Sequence, residues 1–254
     1  MGGVGLGVRG GDGMVGRRGD EGRPPRISLT DIERVGRETG LAELTLQGVA
    51  SRLGVASAAL YRYVDGKAGL DRLVGESMLN ELSIPNPPED TAAHLLRFAV
   101  ALREFVLDRP GMARYLQELF PRGAAGADVL AREITALVER GHSPDVAVVI
   151  CSSVAGFAIA QAAAQERQTA YLTGGRDDRR MERQLAESRA LLATEGVLAQ
   201  AHANLPDISL TDYFRLVVTA YIRGLTDAAP PGRPLAEVMV ALDVRPSPSP
   251  DGRN

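Results

Sequence analysis

Residues 45–67 read TLQGVASRLGVASAALYRYVDGK, and the fold follows from how this stretch is parsed. Thr45 can cap a helix, because its hydroxyl can accept a free N–H of the first turn. Leu46, Val49, Ala50 and Leu53 recur at three- and four-residue spacing, which marks one buried helix face. Gly54 stands where that helix should end, at a position that tolerates a left-handed backbone. Val55 can plug the turn, and Ser57 can cap a second short helix with Leu60 and Val64 facing inward. Ala58, Ala59, Tyr61, Arg62 and Tyr63 are left for the outside. Small residues, two phenols and a guanidinium suit a helix entering a DNA major groove, where alanines permit close approach and the polar tips reach phosphates or base edges. A helical hairpin with no nucleic-acid role is the plainer alternative.

The order and spacing of Leu44-Thr45, Val49-Ala50, Leu53-Gly54-Val55, Leu60-Tyr61 and Lys67 with Leu70 resemble the DNA-binding domain of the tetracycline-repressor (TetR) family. The resemblance implies an all-α protein. It has an N-terminal three-helix helix-turn-helix domain, followed by a helical ligand-binding and dimerisation domain. It places Leu46, Gln47, Ser57, Ala58, Ala59, Tyr61, Tyr63 and Lys67 at DNA-contacting positions. Thr45 at the cap and Arg62 on the outward face complete the expected set. Ala56 and Tyr63 depart from the Ser and His common in the family, so the operator sequence does not transfer.

Charge is divided along the chain. The net charge is −3, yet residues 23–80 carry seven Arg and Lys67 against seven acids, while residues 81–254 carry 18 Arg against 22 acids. A slightly basic reader on an acidic body is the expected asymmetry for a DNA-binding protein. Abundant Ala and the absence of Trp favour helix. Cys151, the single cysteine, excludes an intrachain disulfide and fits a reducing compartment; its apolar flanks suggest a buried thiol. Residues 1–22 contain ten Gly and too little apolar surface to offset ordering, so residues 1–25 are expected to form a loose tail. The Gly5-to-Gly10 match to a dinucleotide fingerprint has no strand or helix around it. No secretory h-region is visible, which leaves a cytoplasmic location expected.

Further along, Ser28 opens a first helix with Ile32, Val35 and Gly36 inside and Gly40 at its end. The reading domain is expected over 26–66 and a connector helix over 67–84, ended by Pro85, Pro87 and Pro88. A body over 85–230 follows, then a tail over 231–254. Within the body, helices are expected from Thr91 to near Pro110, from Met112 to Pro121 and from about Ala127 to Glu139. Residues 146–164, VAVVICSSVAGFAIAQAAA, have no charge in 19 residues. A membrane or protein-interaction segment is the alternative; a helix apolar all round is expected to be buried on all sides. Residues 166–180 read as a loop, Met181–Ala193 as a polar helix, and Leu210–Ala228 as a last amphipathic helix. Its FRLVVTAYIRGLTDAA resembles the dimer-forming helix of the subgroup nearest the tetracycline repressor.

Ala155, Ala158 and Ala162 would permit close packing across a dimer, joined by Val217, Val218 and Tyr221 of the last helix. The opposite face of 146–164, with Val149, Ser153, Phe157 and Gln161, is expected to line an effector cavity together with Ser83, Phe105, Tyr115 and Leu119. Each of these could equally be an ordinary core residue. Ser83 and Tyr115 stand near the positions where the tetracycline repressor has metal-chelate histidines. The resemblance therefore implies no metal, no cofactor and a mainly apolar effector. His94, His142 and His202 lie far apart, and no catalytic motif is present. The expected partners are a double-stranded DNA operator, a small-molecule effector and a second copy of the chain, with no membrane.

Overall fold

The computed structural model describes Gly2 and residues 27–118, 120–173, 178–194 and 196–245; side chains are described except at 170–173, 178–182, 185 and 189. Every regular element among the described residues is helical. The head holds α1 (Leu29–Thr39), α2 (Leu46–Leu53) and α3 (Ser57–Leu60), and α4 (Gly66–Leu79) packs against it and leads to the rest of the chain. Ser28 and Asp31 form a capping box at α1: the Ser28 hydroxyl accepts from the Asp31 N–H at 3.1 Å, and the Asp31 carboxylate accepts from the Ser28 N–H at 3.0 Å. The Ser28 hydroxyl donating to the Asp31 carboxylate at 2.6 Å, and then the Ser28 N–H, hold that carboxyl below its ordinary range. Thr45 caps α2 by accepting from the Gly48 N–H at 3.0 Å, and Gly54 closes it in the left-handed region at φ 68°. Ile32, Val35, Leu44, Val49, Ala50, Leu60, Leu70 and Val74 form the buried core of the head.

Two expectations for the head and connector are corrected. Ser57 does not cap the second helix; Ala56 occupies the cap position and supplies no side-chain bond. The second helix is short as expected, four residues continued by turns through Tyr63. The connector helix ends at Leu79 rather than Ile84. Beyond Asn80 the chain tightens, with Glu81 and Leu82 N–H groups bonding Met78 and Leu79 carbonyls at 3.0 Å, and this tucks Leu82 into the core.

The body contains α5 (Thr91–Leu107), α6 (Met112–Glu118), α7 (Ala124–Glu139), α8 (Pro144–Thr173), α9 (Asp178–Leu192), α10 (Val197–Ala203), α11 (Leu210–Ala228) and α12 (Leu235–Ala241). The 30-residue α8 is its axis, with α5, α6, α7 and α11 packed around it. Its first 26 residues are long and apolar enough to cross a membrane, yet more than half of its most apolar window is buried inside this chain. The expected loop over 166–180 is instead helix through Thr173 and again from Asp178; its middle, 174–177, lies outside the described residues. α10 was not expected, and α7 begins three residues early, at Ala124.

The faces of α8 are the reverse of those expected. Ala158 and Ala162 are fully buried and Ala155 nearly so, as is Val218 on α11, while Val217 and Tyr221 are half-buried. Small side chains do permit close helix approach, but the approaching helices belong to the same chain. Val149, Ser152, Gly156, Ala160 and Ala164 lie outward on α8, beside the outward Tyr213, Leu216, Ala220 and Gly224 of α11.

Buried polar side chains in the body form pairs. His94 bonds Glu133 at 3.0 Å and His142 bonds Thr91 at 3.0 Å. Arg103 donates to Gln165 and lies 4.8 Å over the Phe214 ring. Burial around Cys151 pushes its thiol up to about 12.

Candidate nucleic-acid interface and effector cavity

After the turn that ends α2, Leu60 and Val64 of the α3 segment are buried in the head's core, with Val55 and Ala59 half-buried against it. Gln47, Ala58, Tyr61, Arg62 and Tyr63 are exposed, Tyr61 at 61%. Among the described residues, Tyr61 and Arg62 form no hydrogen bond or ion pair. Four other head cations are engaged: Arg34 and Arg52 with Glu38, Arg37 with Glu81, and Lys67 with Asp71 one turn on. Arg62 is thus a guanidinium held on the outward face with its charge uncompensated by a neighbouring carboxylate. Tyr63 is anchored, its hydroxyl donating to the Ile27 carbonyl at 2.7 Å. That bond fixes the chain entering α1 against the outward segment and leaves the hydroxyl oxygen as an acceptor only. Thr45 is exposed at its cap, Ser57 is half-buried, and Leu46 and Ala59 are half-buried against the core. Of the expected reading residues, Thr45, Gln47, Ala58, Tyr61, Arg62 and Tyr63 are exposed, and Leu46, Ser57, Ala59 and Lys67 are half-buried.

The expected effector residues are not brought together. Ser83 is exposed after α4, and Val149 is 48% exposed. Ser153 is back-bonded to the Val149 and Ile150 carbonyls at 2.8 and 3.0 Å. Phe157 stacks on Tyr221 at 5.0 Å and Phe214 at 6.5 Å, fastening α8 to α11, and Gln161 lies one turn further along that face. Phe105 is buried beneath Arg109, whose guanidinium lies 4.0 Å from its ring centre. The Tyr115 hydroxyl donates to Glu76, and Leu119 lies outside the described residues.

An enclosed apolar cavity of about 20 Å³ lies elsewhere, at the junction of α4 to α8. Leu79 and Leu82 wall it from the α4 side, with Phe98 and Leu102 of α5, Leu116, Phe120, Val129, Leu130, and Ala155 and Ile159 of α8. No polar side chain lines it. At this size it admits about one water-sized particle. On α8 the cavity uses Ala155 and Ile159 rather than the expected Ser153 and Phe157, so Ala155, expected at a dimer contact, is a wall residue. All of these wall residues are core-type side chains, and nothing in one-dimensional spacing separates a cavity wall from a packed core. Among the described residues no three His, Cys, Asp or Glu side chains converge as a metal site.

A helix-turn-helix head carried on a separate all-helical body defines the architectural class. Within that class, the chain has the fold of TetR-family transcriptional regulators. It is similar to ActR from Streptomyces coelicolor in complex with actinorhodin, at 21% identity over 82% of this chain and 99% of that one, with a TM-score of 0.65. It is also similar to a protein described as a possible TetR family transcriptional regulator from Streptomyces coelicolor A3(2), at 24% identity over 79% and 99% of the two chains, TM-score 0.63. A point variant of TetR from Acinetobacter baumannii AYE, in complex with minocycline, shares 20% identity over 80% and 98%, TM-score 0.57. No family model and no curated protein matches the sequence.

Proposed function

We propose that this protein is a cytoplasmic, sequence-specific DNA-binding transcriptional regulator, a homodimeric repressor released from its operator by a small apolar ligand. The observation that carries the reading is the outward Tyr61-Arg62 pair, exposed and unpartnered among the described residues, at the tip of a helix-turn-helix. Thr45, Leu46, Gln47, Ser57, Ala58, Ala59, Tyr63 and Lys67 surround it as further contacts. Residues 26–66 act as the reading head, α4 as the connector and residues 85–230 as the effector and dimerisation body.

The likeness to ligand-bound ActR and TetR supports a small-molecule effector, and the apolar walls around Phe98, Leu102, Leu116 and Ile159 support an apolar one. Dimerisation is assigned to the outward faces of α8 and α11, where Gly156 and Gly224 leave open space above the backbone and Leu216 stands 62% exposed. Two helix-turn-helix heads must sit about 34–36 Å apart to engage successive half-sites, which a two-fold dimer provides.

The test is selection of a duplex from a randomised library by the full-length protein, followed by binding at several salt concentrations. A specific duplex whose affinity falls steeply with salt is expected. Failure to enrich any sequence would refute the reading.

A further inference from the structure

We propose that Glu76 is the positioning residue that ties the orientation of the reading head to the state of the apolar cavity; this rests on the regulator reading above. Two neighbouring residues of α4 face different halves of the molecule. Ser77 looks to the head: its hydroxyl donates to Glu33 and accepts from Arg37, which also bonds the Ser77 carbonyl at 2.9 Å. Glu76 looks to the body. One carboxylate oxygen accepts from the Tyr115 hydroxyl of α6 at 3.0 Å, and the other accepts from the Gly126 N–H at 3.3 Å.

Gly126 lies in the first turn of the 16-residue α7, whose own cap residue, Gly123, offers no side chain. A carboxylate delivered from α4 therefore supplies the acceptor and the negative charge that this helix start lacks. The approach is close enough to require two glycines. A Cβ at Gly123 would stand 2.5 Å from the Glu76 carboxylate, and one at Gly75 would stand 2.5 Å from the Tyr115 ring.

The three helices that Glu76 joins also wall the cavity. Leu79 is one turn beyond Glu76, Leu116 adjoins Tyr115, and Val129 and Leu130 lie one turn beyond Gly126. A cavity of about 20 Å³ cannot take a multi-atom ligand unless these helices separate. A separation of about 1 Å takes both latch bonds beyond hydrogen-bonding distance. Ligand entry and a closed latch exclude each other, which is the differential binding that a switch needs.

A second attachment gives the movement an axis. The Ala42 N–H donates to the Pro110 carbonyl at 3.1 Å, across a contact where a Cβ on Gly111 would stand 2.6 Å from the Ala42 nitrogen. Glu81 lies between Arg37 of the head and Arg109 of the body. With this side held, opening the latch swings the head rather than freeing it.

The experiment places nitroxide labels at the exposed positions Ser51 and Thr135 of the full-length protein, diluted with unlabelled copies so that one labelled chain is observed per assembly. Distance distributions are compared for wild type, Tyr115→Phe, Glu76→Gln and Glu76→Ala, alongside affinity for the duplex that wild type selects. Tyr115→Phe removes only the hydroxyl and keeps the core ring, so it guards against misfolding of the Glu76 variants. A broadened or shifted distance is expected, with about fivefold weaker DNA binding for Tyr115→Phe, the net worth of one hydrogen bond. The salt slope is expected to be unchanged, because no phosphate contact is touched. Unaltered distances in Tyr115→Phe and Glu76→Gln would overturn the proposal. Shifted distances in a protein that selects no duplex would leave the latch standing and remove the regulator reading.

Discussion

Two substitutions two residues apart on α8 should have opposite consequences. Ala158 is fully buried, whereas Ala160 faces outward beside Gly156. Arginine at 158 would place an unpaired guanidinium in the packed interface of α8 with its own chain. An uncompensated buried charge costs roughly 3–5 kcal/mol, and overpacking adds about 1–3 kcal/mol. That is a large share of a total stability of about 5–15 kcal/mol. Ala158→Arg is therefore expected to unfold or to lose most of its cooperative melt.

Arginine at 160 leaves the monomer nearly untouched, within about 0.5 kcal/mol for an exposed site. In the proposed dimer the two-fold axis brings two such arginines into the contact. Burying unsatisfied donors costs about 1–3 kcal/mol per group, so a loss near 3 kcal/mol, more than a hundredfold in dissociation constant, is expected. Far-ultraviolet thermal melts and sedimentation velocity at micromolar concentration distinguish the outcomes. An Ala160→Arg protein that stays dimeric, or an Ala158→Arg protein that melts like wild type, would refute the assignment of faces.

Arg62→Ala should weaken binding to the selected duplex and, if its contact is to phosphate, reduce the salt slope by about 1; unchanged affinity would remove Arg62 from the interface. Leu116→Ala should enlarge the cavity and cost about 2–5 kcal/mol, read as a lowered denaturation midpoint; a neutral result would mean that the wall collapses. Burial holds the His142 imidazole below its ordinary value of 6.5, so the unfolded chain takes up a proton that the folded chain refuses. Its contribution is present above pH 6.5 and lost as pH falls below it, and His142→Asn should flatten that part of the stability–pH curve. Cys151 should react with aromatic disulfides at pH 8 only through unfolding, because burial pushes its thiol up to about 12. Labelling faster than global opening would contradict this.

Local chemistry was readable in the chain. Ser28 with Asp31, Thr45 with Gly48, and Gly54 in the left-handed region each act within a few residues of themselves, so short spacing determined where helices start and stop. The last amphipathic helix, Leu210–Ala228, was legible because its apolar stripe repeats strongly over 19 residues. The outward position of Tyr61 and Arg62 followed in the same way, from the inward Leu60 and Val64.

The faces of α8 were not legible. A helix apolar all round carries no stripe to say which side meets its own chain and which side meets another, so only packing against α5, α7 and α11 could place Ala158 inside and Ala160 outside. The cavity has the same origin, since its wall residues differ from core residues only by what lies opposite them. Glu76 is the sharpest case. Its partners, Tyr115 and Gly126, stand 39 and 50 residues away, and Gly123, one of the two glycines that the close approach needs, lies on a different part of the chain. Helix periodicity reports which residues share a face; which faces meet is decided only when the helices close on one another.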